Sequence, residues 1–157
     1  MHFTKVFLAL ALVAAPVFAN PTAVVKDDVF TSSTRASTSS TCKPTENSSP
    51  TKPFKARTAG FEDGKSSYPH LFGNKEKIAW GLYNCDSGKR TLNEYPVFWK
   101  GAKQKEWEKD TKVKDQDKTP IRVVYANADG SIYYCGIMIH SKVDKDYTGS
   151  DDFVKCD

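Results

Sequence analysis

The stretch from Ile121 to Ser141, IRVVYANADGSIYYCGIMIHS, consists of two apolar runs on either side of the sequence NADG. Branched and aromatic residues dominate both runs, which is typical of β-strands. Ala128-Asp129-Gly130 fits a three-residue connection with Gly130 in the left-handed conformation. The sequence therefore predicts an antiparallel hairpin.

A three-residue connection fixes which residues face each other across this hairpin. Asn127 would face Ser131, and even-numbered positions of both strands, including Arg122 and His140, would share one face. The other face is predicted to pack on the core, and it carries Ile121, Val123, Tyr125, Tyr133, Cys135, Ile137 and Ile139. Because Arg122 then faces Gly136, His140 lies roughly 13 Å farther along the strand. Long side chains, sheet twist or a bulge must close that gap.

The length and charge of the chain fit one small domain without a histone-like excess of basic residues, since 157 residues carry a net charge of +4. Residues 1–19 place Lys5 before an apolar run from Val6 to Ala19 that ends in small residues, which is typical of a secretory signal peptide. The run is shorter than the about 20 residues of a membrane span. We therefore expect a soluble, exported protein that begins near Asn20. Loss of Lys5 leaves 22 basic and 19 acidic residues, a net charge of +3.

Residues 20–41 are predicted to form a leader or propeptide. This segment is rich in Ser and Thr and poor in large apolar residues, as in TSSTRASTSST, so it cannot build a core. The domain is then expected over residues 42–157. Asn47 begins the sequon Asn-Ser-Ser, which makes it a candidate glycosylation site.

The chain has four cysteines, Cys42, Cys85, Cys135 and Cys156. An even number after a signal peptide predicts two disulfides, and the sequence leaves the three pairings open. No two of them form a CxxC pair, which argues against a zinc site. A bridge from Cys42 to Cys156 would enclose almost the whole domain and contribute roughly 4 to 5 kcal/mol in the chain-entropy model.

Three further segments have recognisable patterns. A short helix is expected between Phe54 and Gly60, with Gly60 ending it, and EDGKSS reads as a turn or loop. EYPVFW, from Glu94 to Trp99, predicts a strand, although Pro96 favours an edge or a bulge. Residues 100–118 hold seven lysines and five acidic residues, which predicts a long solvated loop with a helical turn around Trp107.

The mature chain would contain two imidazoles, His70 and His140, because His2 leaves with the signal peptide. Imidazole transfers protons near neutral pH. Two histidines, the carboxylate of Glu94 and the guanidinium of Arg122 suit cleavage of a phosphodiester, since arginine binds phosphate through two parallel hydrogen bonds. The structural alternative is that the histidines only pack at strand ends and that Arg122 pairs with Glu94.

Several separated motifs occur in the order found in one family. They are SYPH, IAWGLYNCD, NEYPVFW, TPIRVVYANADG, YYCGIMIHSKVDK and FVKCD. By these motifs the chain, from about Lys52 to Asp157, resembles the fungal ribotoxins. The likeness is to hirsutellin-like members related to sarcin, within the fungal extracellular guanyl-specific ribonucleases. The resemblance implies a small α+β domain with a twisted antiparallel sheet, one short helix, an amino-terminal hairpin and long loops.

The resemblance also implies a role for each candidate side chain. Glu94 would be the general base and His140 the general acid of a transphosphorylation that ends in a 2′,3′-cyclic phosphate, with no metal or other cofactor. The phosphate would be oriented and stabilised by Tyr68, His70 and Arg122, because preorganised charge on a developing anion is a large catalytic effect. The site would be shaped by Tyr125 and Phe153.

The pairing of cysteines and one departure also follow from the resemblance. It implies disulfides from Cys42 to Cys156 and from Cys85 to Cys135. Hirsutellin-type proteins have Asp at the position of Tyr68, whereas sarcin-type ribotoxins and the simpler ribonucleases have Tyr. The interval from Phe54 to Tyr68 is also shorter, so we expect the helix to be reduced to a turn or two.

Three functions remain open at the level of sequence. A secreted, monomeric ribotoxin would cut one bond in the sarcin–ricin loop of ribosomal RNA after entering a target cell. The lysines of residues 100–118 would then contact phosphates of the ribosome and of acidic lipids, unless the segment is an ordinary solvated loop. The alternatives are a general guanine-preferring extracellular ribonuclease and a non-catalytic effector that binds host RNA. Retention of all five candidate catalytic residues argues against the effector.

Overall fold

The computed structural model describes Pro44 and residues 56–156 of the chain. The predicted signal peptide, the leader, the amino-terminal hairpin, Cys42 and Asn47 lie outside the described residues. Three helices are short: α1 spans Ala56–Ala59, α2 spans Tyr83–Asp86 and a 3-10 helix spans Val113–Asp115. The strands are β1 His70–Leu71, β2 Leu92–Val97, β3 Ile121–Ala128, β4 Ser131–Val143 and β5 Gly149–Lys155.

The five strands form one antiparallel sheet in the order β1-β2-β3-β4-β5, so each strand pairs with its neighbours in sequence. This arrangement confirms the predicted α+β class. Helix α1 ends where expected, because Gly60 follows it with a φ of 72° that a residue with a Cβ rarely adopts. Across residues 56–156, no helix is long and apolar enough to cross a membrane.

The connection of the central hairpin is shorter than predicted. Ala128 pairs with Ser131, so the turn contains two residues, Asp129 and Gly130, whose φ angles are 54° and 84°. Positive φ at both positions is the geometry of a type I′ turn, whose twist matches that of the flanking strands. The prediction of a three-residue connection was wrong because Asp129 also adopts the left-handed conformation.

A β-bulge changes the pairing again farther along the hairpin. Tyr125 pairs with Tyr134, whereas the preceding residue, Val124, pairs with Gly136, so Cys135 is the extra residue. Cys135 forms a disulfide with Cys85 of α2, which ties the bulge to the rest of the fold. Turn and bulge together shift the predicted register by two residues.

Both faces of the sheet are covered, whereas the sequence predicted one core face. The first, here the core face, packs on a cluster that includes Tyr95, Phe98, Trp99, Trp107, Ile121, Val123 and Tyr125. The second, here the site face, contributes to a smaller cluster that contains Phe72, Trp80, Cys85, Val124, Ala126, Cys135 and Met138. Tyr133 and Cys135 therefore lie with the site face and not with the predicted core positions. The shift in register is the reason.

The predictions for Pro96 and for residues 100–118 have different outcomes. Pro96 lies in β2 beyond the residues that pair with β1, since β1 reaches only Asn93 and Glu94, so the proline occupies a locally unpaired edge as predicted. In residues 100–118 the helical turn lies at Val113–Asp115 and not around Trp107, which is buried in the core cluster. An indole at the centre of a charged segment thus anchors the loop.

Candidate active site

The candidate catalytic side chains lie on a diagonal across the site face. His70 of β1 pairs with Glu94 of β2, and Glu94 pairs with Val124 of β3. Arg122 lies two residues from Val124 and pairs with Met138, and His140 lies two residues beyond Met138. Successive diagonal neighbours in an antiparallel sheet are about 7 to 8 Å apart, within reach of long side chains. The corrected register therefore halves the predicted offset between Arg122 and His140.

His70 and Glu94 form a close pair at one end of the diagonal. The Nε2 atom of His70 lies 2.5 Å from Oε1 of Glu94, and the Nδ1–H group donates to the carbonyl oxygen of Ser67 at 3.1 Å. The side chain of Glu94 is only 7% exposed, and its second oxygen, Oε2, is buried and has no hydrogen-bond partner among the described residues. The hydrogen bond that Nε2–H of His70 donates to Glu94 raises the pKa of His70 above 6.5, so the imidazolium is favoured here.

Arg122 is fixed in the middle of the diagonal by its own backbone neighbours. Its Nη1 group donates to the carbonyl oxygens of Thr119 and Ile121, at 2.7 and 2.9 Å. Its Nε atom is buried, and no residue of the described part of the chain accepts a hydrogen bond from it. The guanidinium carbon lies 5.3 Å from the centre of the Tyr68 ring, and that ring stacks on His70 at 4.3 Å. Tyr68 thus packs against both cationic side chains of the site.

His140 lies at the other end, among different partners. Its Nδ1–H group donates to the carbonyl oxygen of Asp151 at 3.0 Å, which leaves Nε2 as the nitrogen available to a substrate. The ring of Phe153 packs 3.9 Å from the imidazole. Burial lowers the pKa of His140 below 6.5, and Arg122 contributes in the same direction. The two histidines therefore have pKa values shifted in opposite directions.

The irregular start of β5 allows this environment for His140. Asp151 has a φ of 61° and lies where the pairing of β4 with β5 shifts, between the pairs Lys142 with Ser150 and His140 with Phe153. A Cβ atom on Gly149 would lie 2.1 Å from Cδ2 of His140. A glycine at this position is thus required for β5 to approach the imidazole ring.

The structure separates one predicted site residue from the others. Tyr125 is buried on the core face, and its hydroxyl group donates to the carbonyl oxygen of Gly60 at 2.8 Å. It supports the sheet from behind and does not contact the site face, because odd-numbered positions of β3 point away from it. Tyr68, His70, Glu94, Arg122, His140 and Phe153 are brought together.

Of the two disulfides implied by resemblance, the structure shows the bond between Cys85 and Cys135. The pairing of Cys42 with Cys156 stays a prediction because Cys42 lies outside the described residues. Within residues 56–156, no group of three or more His, Cys, Asp or Glu side chains is placed to hold a metal ion.

Comparison with known proteins shows the family of this chain. A family model described as ribonuclease matches residues 34–157. The chain belongs to the ribonuclease family. This ribonuclease is similar to the solution structure of hirsutellin A from Hirsutella thompsonii, with 48% sequence identity and a TM-score of 0.58. The match covers 66% of this chain and 82% of the hirsutellin A chain. No protein with a curated description matches significantly.

The comparisons confirm the resemblance to hirsutellin-like ribotoxins and the assignment of this ribonuclease as an endoribonuclease. The comparisons give no information on the contacts that orient the two histidines. Three features that set these orientations were not predicted from the sequence: the carbonyl groups of Ser67 and Asp151, and the space left by Gly149. Backbone carbonyls have no signal in a sequence. A glycine within a strand is a signal of close approach, and Gly149 could have been found in that way.

Proposed function

We propose that this endoribonuclease cuts a single phosphodiester bond in the sarcin–ricin loop of large-subunit ribosomal RNA and thereby stops protein synthesis. The observation that carries the proposal is the diagonal of His70, Glu94, Arg122 and His140 on one face of the sheet. The similarity to hirsutellin A supports the ribotoxin branch of the family.

In the proposed reaction Glu94 is the general base. Its Oε1 atom is held by His70, whereas the buried Oε2 atom has no partner within residues 56–156, so Oε2 accepts the proton of the ribose 2′-hydroxyl. The 2′-oxygen then forms a bond to phosphorus, and the bond from phosphorus to the 5′-oxygen breaks. The product is a 2′,3′-cyclic phosphate.

His140 is the proposed general acid, and the cationic side chains stabilise the phosphorane. Because Nδ1–H is bound to Asp151, the proton on Nε2 passes to the departing 5′-oxygen. A lowered pKa makes the imidazolium of His140 a stronger acid, which suits this step. Arg122, whose Nε–H group has no partner in the described part of the chain, and the imidazolium of His70 stabilise the negative charge that develops on the phosphate oxygens.

The lysines of residues 100–118 are the proposed contact with the ribosome. Lys105, Lys109 and Lys118 donate to atoms of the fold, namely the carbonyl oxygens of Ala102 and Ala59 and the hydroxyl group of Thr148. Lys100, Lys103, Lys112 and Lys114 are exposed. We propose that these exposed lysines bind RNA phosphates, and acidic lipid head groups during entry, after export of a monomeric protein by its signal peptide.

The deciding experiment is incubation of the purified protein with intact ribosomes at nanomolar to low micromolar concentration. The proposal predicts one discrete 3′ fragment of large-subunit RNA, absent with the His140→Gln variant. A smear of products from both ribosomes and naked RNA would instead identify a general ribonuclease. Failure to cleave either substrate would favour the non-catalytic effector.

The contribution of the lysines has a matched control. Lys112→Glu/Lys114→Glu should reduce cleavage of ribosomes while cleavage of a short RNA changes little, because neither lysine belongs to the diagonal. Lys89→Glu/Lys145→Glu makes the same change in charge at exposed positions outside the loop. Equal effects of the two double variants would show that only net charge matters.

A further inference from the structure

The segment that carries Tyr68 and His70 is a small closed loop, from Gly64 to His70. Its backbone is bonded internally, from the amide of Gly64 to the carbonyl of Tyr68 at 3.0 Å and from the amide of Ser67 to the carbonyl of Gly64 at 2.9 Å. Strand pairing begins only at His70. The Ser67 carbonyl that orients His70 therefore depends on the position of this closed loop.

The closed loop is attached to the lysine-rich segment through Ser66. The amide of Ser66 donates to the carbonyl of Lys109 at 3.0 Å, and the indole Nε1–H of Trp107 donates to the Ser66 hydroxyl at 3.1 Å. Ser66 is fully buried. A Cβ on Gly64 would lie 2.5 Å from Lys109, so the two segments are also in close steric contact.

Trp107 is held firmly from the core side. It is 4% exposed, its ring stacks with Phe98 at 6.4 Å between centroids, and its carbonyl accepts a hydrogen bond from the Tyr95 hydroxyl at 3.0 Å. The indole and the Tyr68 ring form an edge-to-face contact, with 5.6 Å between their centroids. The ring of Tyr68 thus contacts both the indole of Trp107 and the imidazole of His70. This indole joins the core, the lysine-rich segment and the catalytic edge.

We propose that Trp107 is a positioning residue for RNA cleavage. It holds Ser66 and Tyr68 so that the imidazole of His70 stays between the Ser67 carbonyl and the carboxylate of Glu94. This role rests on the proposed catalytic function of His70 and Glu94. Trp107 lies in residues 100–118, the segment proposed to contact the ribosome. The same segment therefore also holds His70 in position beside Glu94.

Trp99 offers a matched control. It is 6% exposed in the same core cluster, and its ring contacts Phe98 and Tyr147, at 6.2 and 4.5 Å. Trp99→Phe and Trp107→Phe thus remove the same atoms from one core. The difference is that Trp107→Phe also removes the hydrogen bond to Ser66 and weakens the edge contact with Tyr68.

The test compares both variants with the wild type by thermal unfolding, by cleavage of a short RNA and by NMR titration of the two histidines. Both variants should lower the unfolding temperature. Trp107→Phe alone should lower kcat, roughly tenfold to a hundredfold, with little change in KM, because misplacement of a catalytic group affects the chemical step. In that variant the pKa of His70 should return toward 6.5, while that of His140 should stay unchanged.

The Ser66→Ala variant completes the experiment. If the indole acts through Ser66, the double variant Ser66→Ala/Trp107→Phe should lose little more kcat than Trp107→Phe alone. An unchanged His70 titration in Trp107→Phe, or equal losses of kcat in Trp99→Phe, would overturn the proposal. The titration needs no catalysis, so it remains decisive if wild-type protein fails to cut ribosomes at one site.

Discussion

His70 and His140 reach the same site from two differently built regions. His140 belongs to the 13-residue strand β4, which pairs with β3 on one side and β5 on the other. His70 opens a two-residue strand at the end of a loop that is bonded mainly to other loops. We call the surroundings of His140 in β4 and β5 the sheet side, and those of His70 at the end of the closed loop the loop side. On the sheet side burial lowers the pKa of His140, and on the loop side Glu94 raises the pKa of His70.

This difference suggests a division of labour. A histidine that readily gives up its proton suits the protonation of a leaving oxygen, whereas a histidine held as a cation suits the stabilisation of an anion. The pairing of β4 with β5, with its irregularity at Asp151, positions the proposed proton donor His140, whereas a few polar contacts position the proposed cation His70. We therefore expect changes at His140 to act on chemistry and changes around His70 to act more on electrostatics.

The largest effect is expected from His140→Gln. Loss of the proposed proton donor should lower kcat by about 10² to 10⁴, the usual contribution of general acid catalysis, while circular dichroism and unfolding temperature stay close to wild type. His70→Gln should lower kcat less, because it removes charge and not the transferred proton. Cleavage rates on a short RNA measure both, and a larger loss in His70→Gln would reverse the assignment.

Gly149→Ala should give the next largest effect. This variant tests how the sheet side holds His140. The new Cβ would lie 2.1 Å from Cδ2 of His140. The ring must move from Asp151, and we expect kcat to fall roughly tenfold to a hundredfold.

Gly136→Ala is the control for Gly149→Ala, since its Cβ would lie 2.7 Å from Trp80 and away from the imidazoles. It should reduce stability at least as much with a smaller loss of kcat after correction for the folded fraction. Similar losses of kcat in the two variants would mean that Gly149 only serves the fold.

The sheet side was also the more predictable from sequence. Alternation along the strands placed Arg122 and His140 on one face. The turn and the bulge each shift the register by one residue, and the combined shift of two residues preserves that parity. The two-residue turn was missed because Asp129 adopts a positive φ. A bulge was one of three ways expected to close the gap between Arg122 and His140, but its position was not predicted because Cys135 looks like any buried strand residue. Tyr125 was misplaced because its link to the site came from resemblance, whereas parity already put it on the opposite face.

The loop side could not be derived in the same way. Nothing in the charged run of residues 100–118 shows that Trp107 enters the core and bonds to Ser66, 41 positions earlier in the chain. Such contacts depend on how two irregular segments meet, which no periodicity encodes. The roles of Tyr68 and His70 were accordingly inferred from resemblance alone, and their positions follow from tertiary structure.

The pH dependence of cleavage offers a sharper test of the comparison. Since burial lowers the pKa of His140 below 6.5, the alkaline limb of kcat/KM should be centred below pH 6.5 and fall by about tenfold per pH unit above it. The limb should remain in His70→Gln. If His70 were the acid, its raised pKa would place the limb above pH 6.5, so the position of the limb identifies the donor.

The smallest expected effect is on stability, and its sign should differ between the two regions. The raised pKa of His70 gives a contribution that is fully present below pH 6.5 and is lost as pH rises through the higher folded-state pKa. Urea denaturation should therefore show the stability difference between wild type and His70→Gln shrinking toward alkaline pH, by less than about 1 kcal/mol because the pair is partly exposed.

His140 has the opposite linkage. Its lowered pKa costs the folded state stability only as pH falls below 6.5, since the unfolded chain then binds more protons. The wild type should thus lose stability relative to His140→Gln on acidification, whereas relative to His70→Gln it should gain stability. Urea denaturation of all three proteins at pH 5 and pH 8 measures both differences. Parallel changes in the two variants would show that the sheet and the loop do not impose different environments on their histidines.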